Sequence, residues 1–264
     1  MDKKIGGGQK GLLRLLVALM VVCIANLAAA KDALTKEERD WVTRHGVVQV
    51  GAFTDYPPFG FVDDKGRAQG MAIDFWELMA SKLGFKVRFH PVLFAKQLDG
   101  LQSGQFDSLT GIFALEERKQ SFDFSKEYTV IATNIYVRPR YANLKGLADL
   151  RGLKVGVVEG DSGQAVAEKA KLRLNAFKSY PDAIRALGED RIDAIIMDEL
   201  VVKYYAGKYG LKGRIKKIGE PVDQGKMALP VAKRNSVLLG ILNKGIGQVS
   251  LQEWGKIRRR WMGK

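Results

Sequence analysis

Apolar and polar positions alternate in blocks that switch between a helical and a strand period along the chain. Residues 34–45, LTKEERDWVTRH, predict a helix, with Thr35 and Glu38 in capping-box spacing. VVQVGAF (47–53) is β-branched and predicts a strand, ending at the turn-rich TDYPPFGF, whose two prolines stop pairing. MAIDFWELMASKLG (71–84) predicts an amphipathic helix closed by Gly84, KVRFHPV (86–92) a strand, and FAKQLDGLQSG (94–104) a helix stopped by glycine. FDSLTGIF reads as one short strand, LEERK as a short helix carrying Arg118, and FDFSKEY as a loop entering a new strand.

From Thr129 to Arg138 the chain reads as extended, and LADLRG (147–152) as a turn of helix. The alternation then restarts. KVGVVEG (154–160), LNAFKS, IDAIIMD (192–198) and RIKKIGE predict strands, and the segments between them, opening at Asp161-Ser162-Gly163, YPDAIRALGEDR and ELVVKYYAGKYG, predict helices. A last strand, KMALPVAKR (226–234), and two helices, NSVLLGILNKGIGQVS and LQEWGKIRRRWMG, complete the chain. Strands alternating with helices predict an α/β protein with doubly wound, mostly parallel sheets. Two βαβ series imply two lobes rather than one sheet, joined by paired strands near 127–132 and 220–226.

The first thirty residues differ from the rest. Lys3, Lys4, Lys10 and Arg14 precede an apolar run from Leu15 to Leu27 that ends in Ala28-Ala29-Ala30, the pattern of a secretory signal peptide cleaved after Ala30. About thirteen apolar residues fall short of the roughly twenty that span a bilayer. Val22 stands where a lipoprotein site at Cys23 needs a small residue. Cleavage leaves 234 residues and removes the single cysteine, so no disulfide or thiol chemistry is expected. The leader takes four Lys/Arg and one acid with it, and the net charge falls from +14 to +11. An exported protein with that charge meets an anionic surface or simply carries solvated charge; nucleic acid is not an expected partner. The basic tail from Lys256 predicts the exposed face of a last helix, with Trp254, Ile257 and Trp261 on its buried face.

In open α/β sheets ligands bind beyond the carboxyl ends of the strands. Arg118, the loop Glu159 to Gly163, and Asp198 lie at such ends. The arginine fork and the N–H groups of a helix N-terminus suit a carboxylate, Ser162 can add a hydroxyl, and Asp198 can accept from an ammonium. Together they make a zwitterion clamp. The plainer alternatives are a surface pair of Arg118 with Glu116, Glu117 or Asp123, and Asp198 as a helix N-cap. His45 and His90 have no partners in metal or nucleophile spacing, no G-x-S-x-G, H-E-x-x-H or phosphate loop occurs, and Asp63 and Asp64 read as a solvated turn. No metal or cofactor is expected.

Across nearly the whole mature chain the sequence resembles the extracellular solute-binding proteins of family 3, the polar amino-acid receptors of ABC transporters. The blocks that carry the resemblance are VGAFTDYPPFGF (50–61), Gly70 with Asp74, LQSGQFDSLTGI (101–112), EERK followed by DFSKEY, LADLRGLKVGVVEGDSG (147–163) and RIDAIIMDE (191–199). The resemblance implies a type II periplasmic-binding-protein clamshell, with lobe 1 at about 31–128 plus 224–264 and lobe 2 at 129–223. It implies ligand-binding roles for Arg118 on a carboxylate, Asp198 on an amine, Gly111, Ser162 and Gly163 as backbone and hydroxyl contacts, and Tyr56 with Phe94 as a side-chain sandwich. Phe53 and Phe113 depart from the family, which often has a polar group at each, so a more apolar pocket is expected. Glu159 stands where relatives often carry lysine or glutamine, and either favours a cationic side chain or faces water.

The function so implied is a periplasmic, monomeric, non-catalytic receptor that closes on an amino acid or similar amino compound and docks on a membrane permease. A ligand sensor of the same fold is the alternative; it normally continues into a membrane span, whereas this sequence stops at Lys264. A cyclohexadienyl dehydratase is a third, disfavoured because Val201 stands three positions after Asp198, where those enzymes carry an acid.

Overall fold

The computed structural model describes residues 33–233 and 235–262. The leader and its cleavage site lie outside the described residues. The helix Lys36–His45 is set by its cap: Glu38 N donates to Thr35 Oγ1 at 3.2 Å and Thr35 N to Glu38 Oε2 at 2.6 Å. Lys244, on the helix Ser236–Gln248, donates to the same Glu38 carboxylate, tying the cap to the body of the protein.

Two mixed sheets organise the chain. Strands β1 (Val47–Phe53), β2 (Asp55–Tyr56), β3 (Gly60–Val62), β4 (Ala68–Gln69), β5 (Lys86–Val92), β6 (Ser108–Leu109), β7 (Ile112–Phe113) and β8 (Phe122–Phe124) come from the first half of the chain. Strands β9 (Thr129–Val137), β10 (Val155–Val158), β11 (Leu174–Phe177), β12 (Ala194–Asp198), β13 (Lys216–Ala228) and β14 (Pro230–Ala232) follow. The five-stranded sheet runs β5-β1-β6-β14-β8, parallel at β5-β1-β6 and antiparallel beyond. The six-stranded sheet runs β11-β10-β12-β9-β13-β7, parallel at β11-β10-β12. The antiparallel pair β9 and β13 carries the chain into the second lobe and back.

Four segments differ from the pattern-based expectation. FDSLTGIF is not one strand: β6 joins the first sheet and β7 the second. The break is at Gly111, with φ +140°, where a Cβ would meet Tyr128 Oη at 2.5 Å. FDFSKEY contains a real strand, β8, held by β14. TDYPPFGF pairs with itself, because β2 and β3 fold back around the two prolines and join β4 in a small sheet. RIKKIGE and KMA of the expected last strand are one long strand, β13, with an irregularity between Ile218 and Asp223, and Pro230–Ala232 pairs separately as β14.

The helix Met71–Leu83 buries Phe75, Trp76 and Met79 against the first sheet and against Leu238, Ile241 and Leu242 of Ser236–Gln248. The last helix, Leu251–Met262, buries Ile257 and half-buries Trp254 and Trp261. Trp261 Nε1 and an Arg260 nitrogen both donate to Asp74. A separate cluster around Ile135, Val155, Ala194 and Ile196 fills one face of the second sheet. The larger cluster runs without a break from Trp76 through Phe53 and Tyr56 to Tyr180, Ile184 and Leu187, so the lobes are packed face to face.

Candidate ligand-binding cleft

Arg118 sits on the single turn Glu116–Lys119 that follows β7 and is only 7% exposed. It forms no surface pair of the plainer kind. Its Nη1 donates to Phe113 O at 2.9 Å and its Nη2 to Gly160 O at 2.7 Å, the second bond reaching the opposite lobe. Its guanidinium carbon lies 5.4 Å from the Phe94 ring centroid, in cation–π range. Burial pulls its pKa down, while the charge of Asp161 pushes it back up.

Asp198 closes β12 and occupies the N-cap position of the helix Glu199–Lys208, yet its side chain does not cap that helix. Its oxygens are taken instead by Thr133 Oγ1, at 2.6 Å, and by Tyr56 Oη from the other lobe. Its pKa is pushed up to about 7, by burial first and then by the Asp161 charge, against the lowering effect of the two hydroxyl bonds.

The loop after β10 opens the helix Ser162–Lys169. Asp161 is its N-cap; its carboxylate accepts from Ser162 N at 2.8 Å, with Ser162 Oγ 3.5 Å away. Burial raises the Asp161 pKa, and Arg118 and these N–H and O–H groups counter it. Gly163 brings the helix against β12: a Cβ there would meet Ile196 O at 2.4 Å. A third cross-lobe contact lies at the cleft edge, where Tyr180 N donates to Asp55 Oδ2 at 3.1 Å and Tyr205 Oη to Asp55 O at 2.9 Å. Burial pushes the Asp55 carboxyl up to about 6.

Between the lobes lies a cavity of about 200 Å³ including its open mouth. Five aromatic rings line it: Phe53, Tyr56, Phe94, Phe113 and Tyr180. Tyr56 packs on Phe53 at 4.6 Å and on Tyr180 at 4.9 Å, and Phe53 stacks on Phe94 at 5.7 Å. Arg118 and Asp161 supply the charge. Of the residues expected from sequence, Arg118, Tyr56, Phe94, Phe53 and Phe113 meet at this cavity, and Asp198 is bonded directly to Tyr56. Asp198, Ser162, Gly163, Gly111 and Glu159 are not on its wall; Asp198 lies behind Tyr56, Ser162 is buried beside Asp161, and Glu159 is half-buried.

Asp161, Tyr180, Thr133, Ile112 and Met227 were not expected in these roles. Asp161 announces itself as an N-cap before Ser-Gly, but a sequence does not say that the capped end faces a cleft. Thr133 is reached only through the pairing of β9 with β12, Asp198 opposite Thr133. The histidines are structural: His45 Nε2 lies 2.8 Å from Asp107 Oδ2 and His90 Nε2 2.7 Å from Gln49 Oε1. Asp63 closes the turn by accepting from Lys65 N, Arg67 N and Arg67 Nε. Among the described residues no group of three or more His, Cys, Asp or Glu is placed to hold a metal ion, and no helix is long and apolar enough to cross a membrane.

Two mixed α/β sheets joined by long antiparallel strands, with a polar and aromatic cavity between them, define a two-lobe binding-protein fold of the periplasmic type. The chain belongs to the bacterial extracellular solute-binding proteins, family 3, whose family model matches residues 48–264. It is 25% identical over 263 residues to the L-cystine-binding protein TcyJ of Escherichia coli (strain K12), covering 97% of this chain and 96% of that one. Among solved structures it is similar to an ancestral arginine-binding protein bound to arginine, with TM-score 0.76 and 33% identity, covering 83% of this chain and 99% of that one. It is also similar to a histidine kinase sensor domain with similarity to periplasmic binding proteins, with TM-score 0.78 and 25% identity, covering 84% and 98%.

Proposed function

We propose that this chain is an exported, non-catalytic receptor that binds an amino acid or similar small amino compound between its lobes and delivers it to a membrane permease of an ABC transporter. Residues 1–30 serve as the export signal. Residues 31–128 with 224–264 act as one jaw and 129–223 as the other, turning about β9 and β13. The observation that carries the reading is the buried Asp198 carboxylate at the cleft, held by one hydroxyl from each lobe. An ammonium or guanidinium can replace the Tyr56 hydroxyl there with a charge-assisted bond, roughly twice as strong as a neutral one. The aromatic rings then flank the rest of the ligand, at about 0.5–2 kcal/mol per ring contact. Val201, fully buried in the helix after Asp198, offers no acid for dehydratase chemistry.

A stand-alone sensor is the second reading, favoured by the similarity to a kinase sensor domain. Both readings require ligand binding in the cleft. A thermal-shift screen of amino acids, amines and small carboxylates tests them together: a ligand at 100 times its dissociation constant adds about 2.7 kcal/mol of stability. Co-purification with a permease from detergent-solubilised membranes separates transport from sensing.

A further inference from the structure

Within the amino-compound reading, the structure points to a narrower ligand class. A zwitterion needs an anion site beside its ammonium site. The anion site expected here consists of the Arg118 guanidinium and the first N–H groups of the helix Ser162–Lys169. In the folded chain a carboxylate already stands there, and it belongs to the protein. Asp161 accepts from Ser162 N at 2.8 Å, shares the cavity wall with Arg118, and is 8% exposed. Arg118 is further engaged by two backbone carbonyls, Phe113 O and Gly160 O.

The charge balance follows. Arg118 and Asp161 offset each other at the cavity, and Asp198 stands behind Tyr56 with only hydroxyl partners. An α-carboxylate entering this cleft would meet Asp161 at short range in a site of low dielectric, where like charges repel strongly. A cation meets the Asp161 carboxylate and five ring faces, with Asp198 one hydroxyl away behind Tyr56, surroundings that favour a desolvated ammonium or guanidinium.

We infer that this cleft selects an organic cation that lacks an α-carboxylate, an amine or guanidine compound, because Asp161 occupies the carboxylate site from within. The inference rests on the cleft being the ligand site for amino compounds, and its test separates the two claims.

The test is calorimetric titration with pairs that differ only by the carboxylate: arginine and agmatine, histidine and histamine, phenylalanine and phenethylamine. In the pair that binds most tightly, the decarboxylated member is expected to bind wild type at least tenfold better. Asp161→Ser keeps a helix-capping hydroxyl and frees the anion site, so it should reduce or invert that preference by at least tenfold. The wild-type ratio is a result in its own right should the variant fold poorly. Tighter binding of the amino-acid member to wild type overturns the inference while leaving the receptor reading intact. An unchanged ratio in a folded Asp161→Ser protein also overturns it. Failure of all six compounds to bind wild type overturns it too, and the wider screen of amino compounds then decides whether the receptor reading falls with it.

Discussion

Tyr56 and Asp198, 142 residues apart in sequence and on opposite lobes, share a buried hydrogen bond across the cleft. The ring of Tyr56 belongs to the aromatic wall, and its hydroxyl rests on the carboxylate expected to receive the ligand's amine. One side chain therefore does two things: it holds the lobes together, and it satisfies a buried acid that would otherwise be left with Thr133 alone among hydroxyl partners.

Tyr56→Phe keeps the ring and removes the latch. Loss of a hydrogen bond to a buried acid costs roughly 1–3 kcal/mol. The ligand-free variant should be less compact by small-angle scattering and melt several degrees lower, at about 2–4 °C per kcal/mol for a chain of this size. Unchanged compactness and melting temperature would mean that this bond contributes nothing to closure.

The closed form should loosen as pH rises. Burial pushes the Asp198 carboxyl up to about 7, above the 3.8 of a free aspartate, so the folded protein holds its proton to higher pH than the unfolded chain does. Its contribution to stability is fully present below about pH 4 and is lost as pH rises to about 7, at up to about 1.4 kcal/mol per pH unit. Asp55, raised to about 6, adds a loss of the same sign over a narrower window. The wild-type melting temperature minus that of Asp198→Asn should therefore fall between pH 5 and pH 7.5. A difference that rises with pH would contradict this.

Arg118→Ala removes the donors to Phe113 O and Gly160 O and leaves Asp161 buried without its counter-charge. Leaving a buried carboxylate without its nearby opposite charge costs up to about 3–5 kcal/mol, so the ligand-free variant should melt well below wild type. An organic cation, freed of repulsion by Arg118, should bind no more weakly. Circular dichroism should show a folded protein, since the guanidinium lies at a cleft whose groups meet water when the lobes part. A melting temperature equal to that of wild type would mean that Arg118 does not compensate Asp161.

Gly163→Ala tests the packing beneath the site. The new Cβ would meet the backbone oxygen of Ile196 at 2.4 Å, and backbone cannot move aside as a side chain can. The helix Ser162–Lys169 must shift or the pairing around β12 must give, costing about 1–3 kcal/mol. Chemical denaturation should show that loss, and a variant as stable as wild type would deny the close approach.

The sequence carried the elements well where periodicity is long. The helices Met71–Leu83 and Ser236–Gln248, the strands β1 and β5, and the capping box at Thr35 and Glu38 all follow from local pattern. It failed where two residues make a strand only because a distant partner pairs with them, as at β7 on Met227 and Ala228, or β8 on β14. The site divides the same way. Arg118 and Asp198 were legible as strand-end chemistry, and the aromatic rings only through the family resemblance. The opposition of Asp161 to Arg118 was not, because it arises only when the two lobes face each other.

The most direct test of the account is the affinity of wild type and of Asp198→Asn, by calorimetry at pH 7.5, for the tightest ligand found in the screen. Wild type should bind an amine- or guanidine-bearing compound, and Asp198→Asn, still folded, should lose about 30-fold or more in affinity, because the ligand's cation is left buried without its counter-charge. Equal affinity in the two proteins, or tightest binding of a compound without a cationic nitrogen, would contradict it.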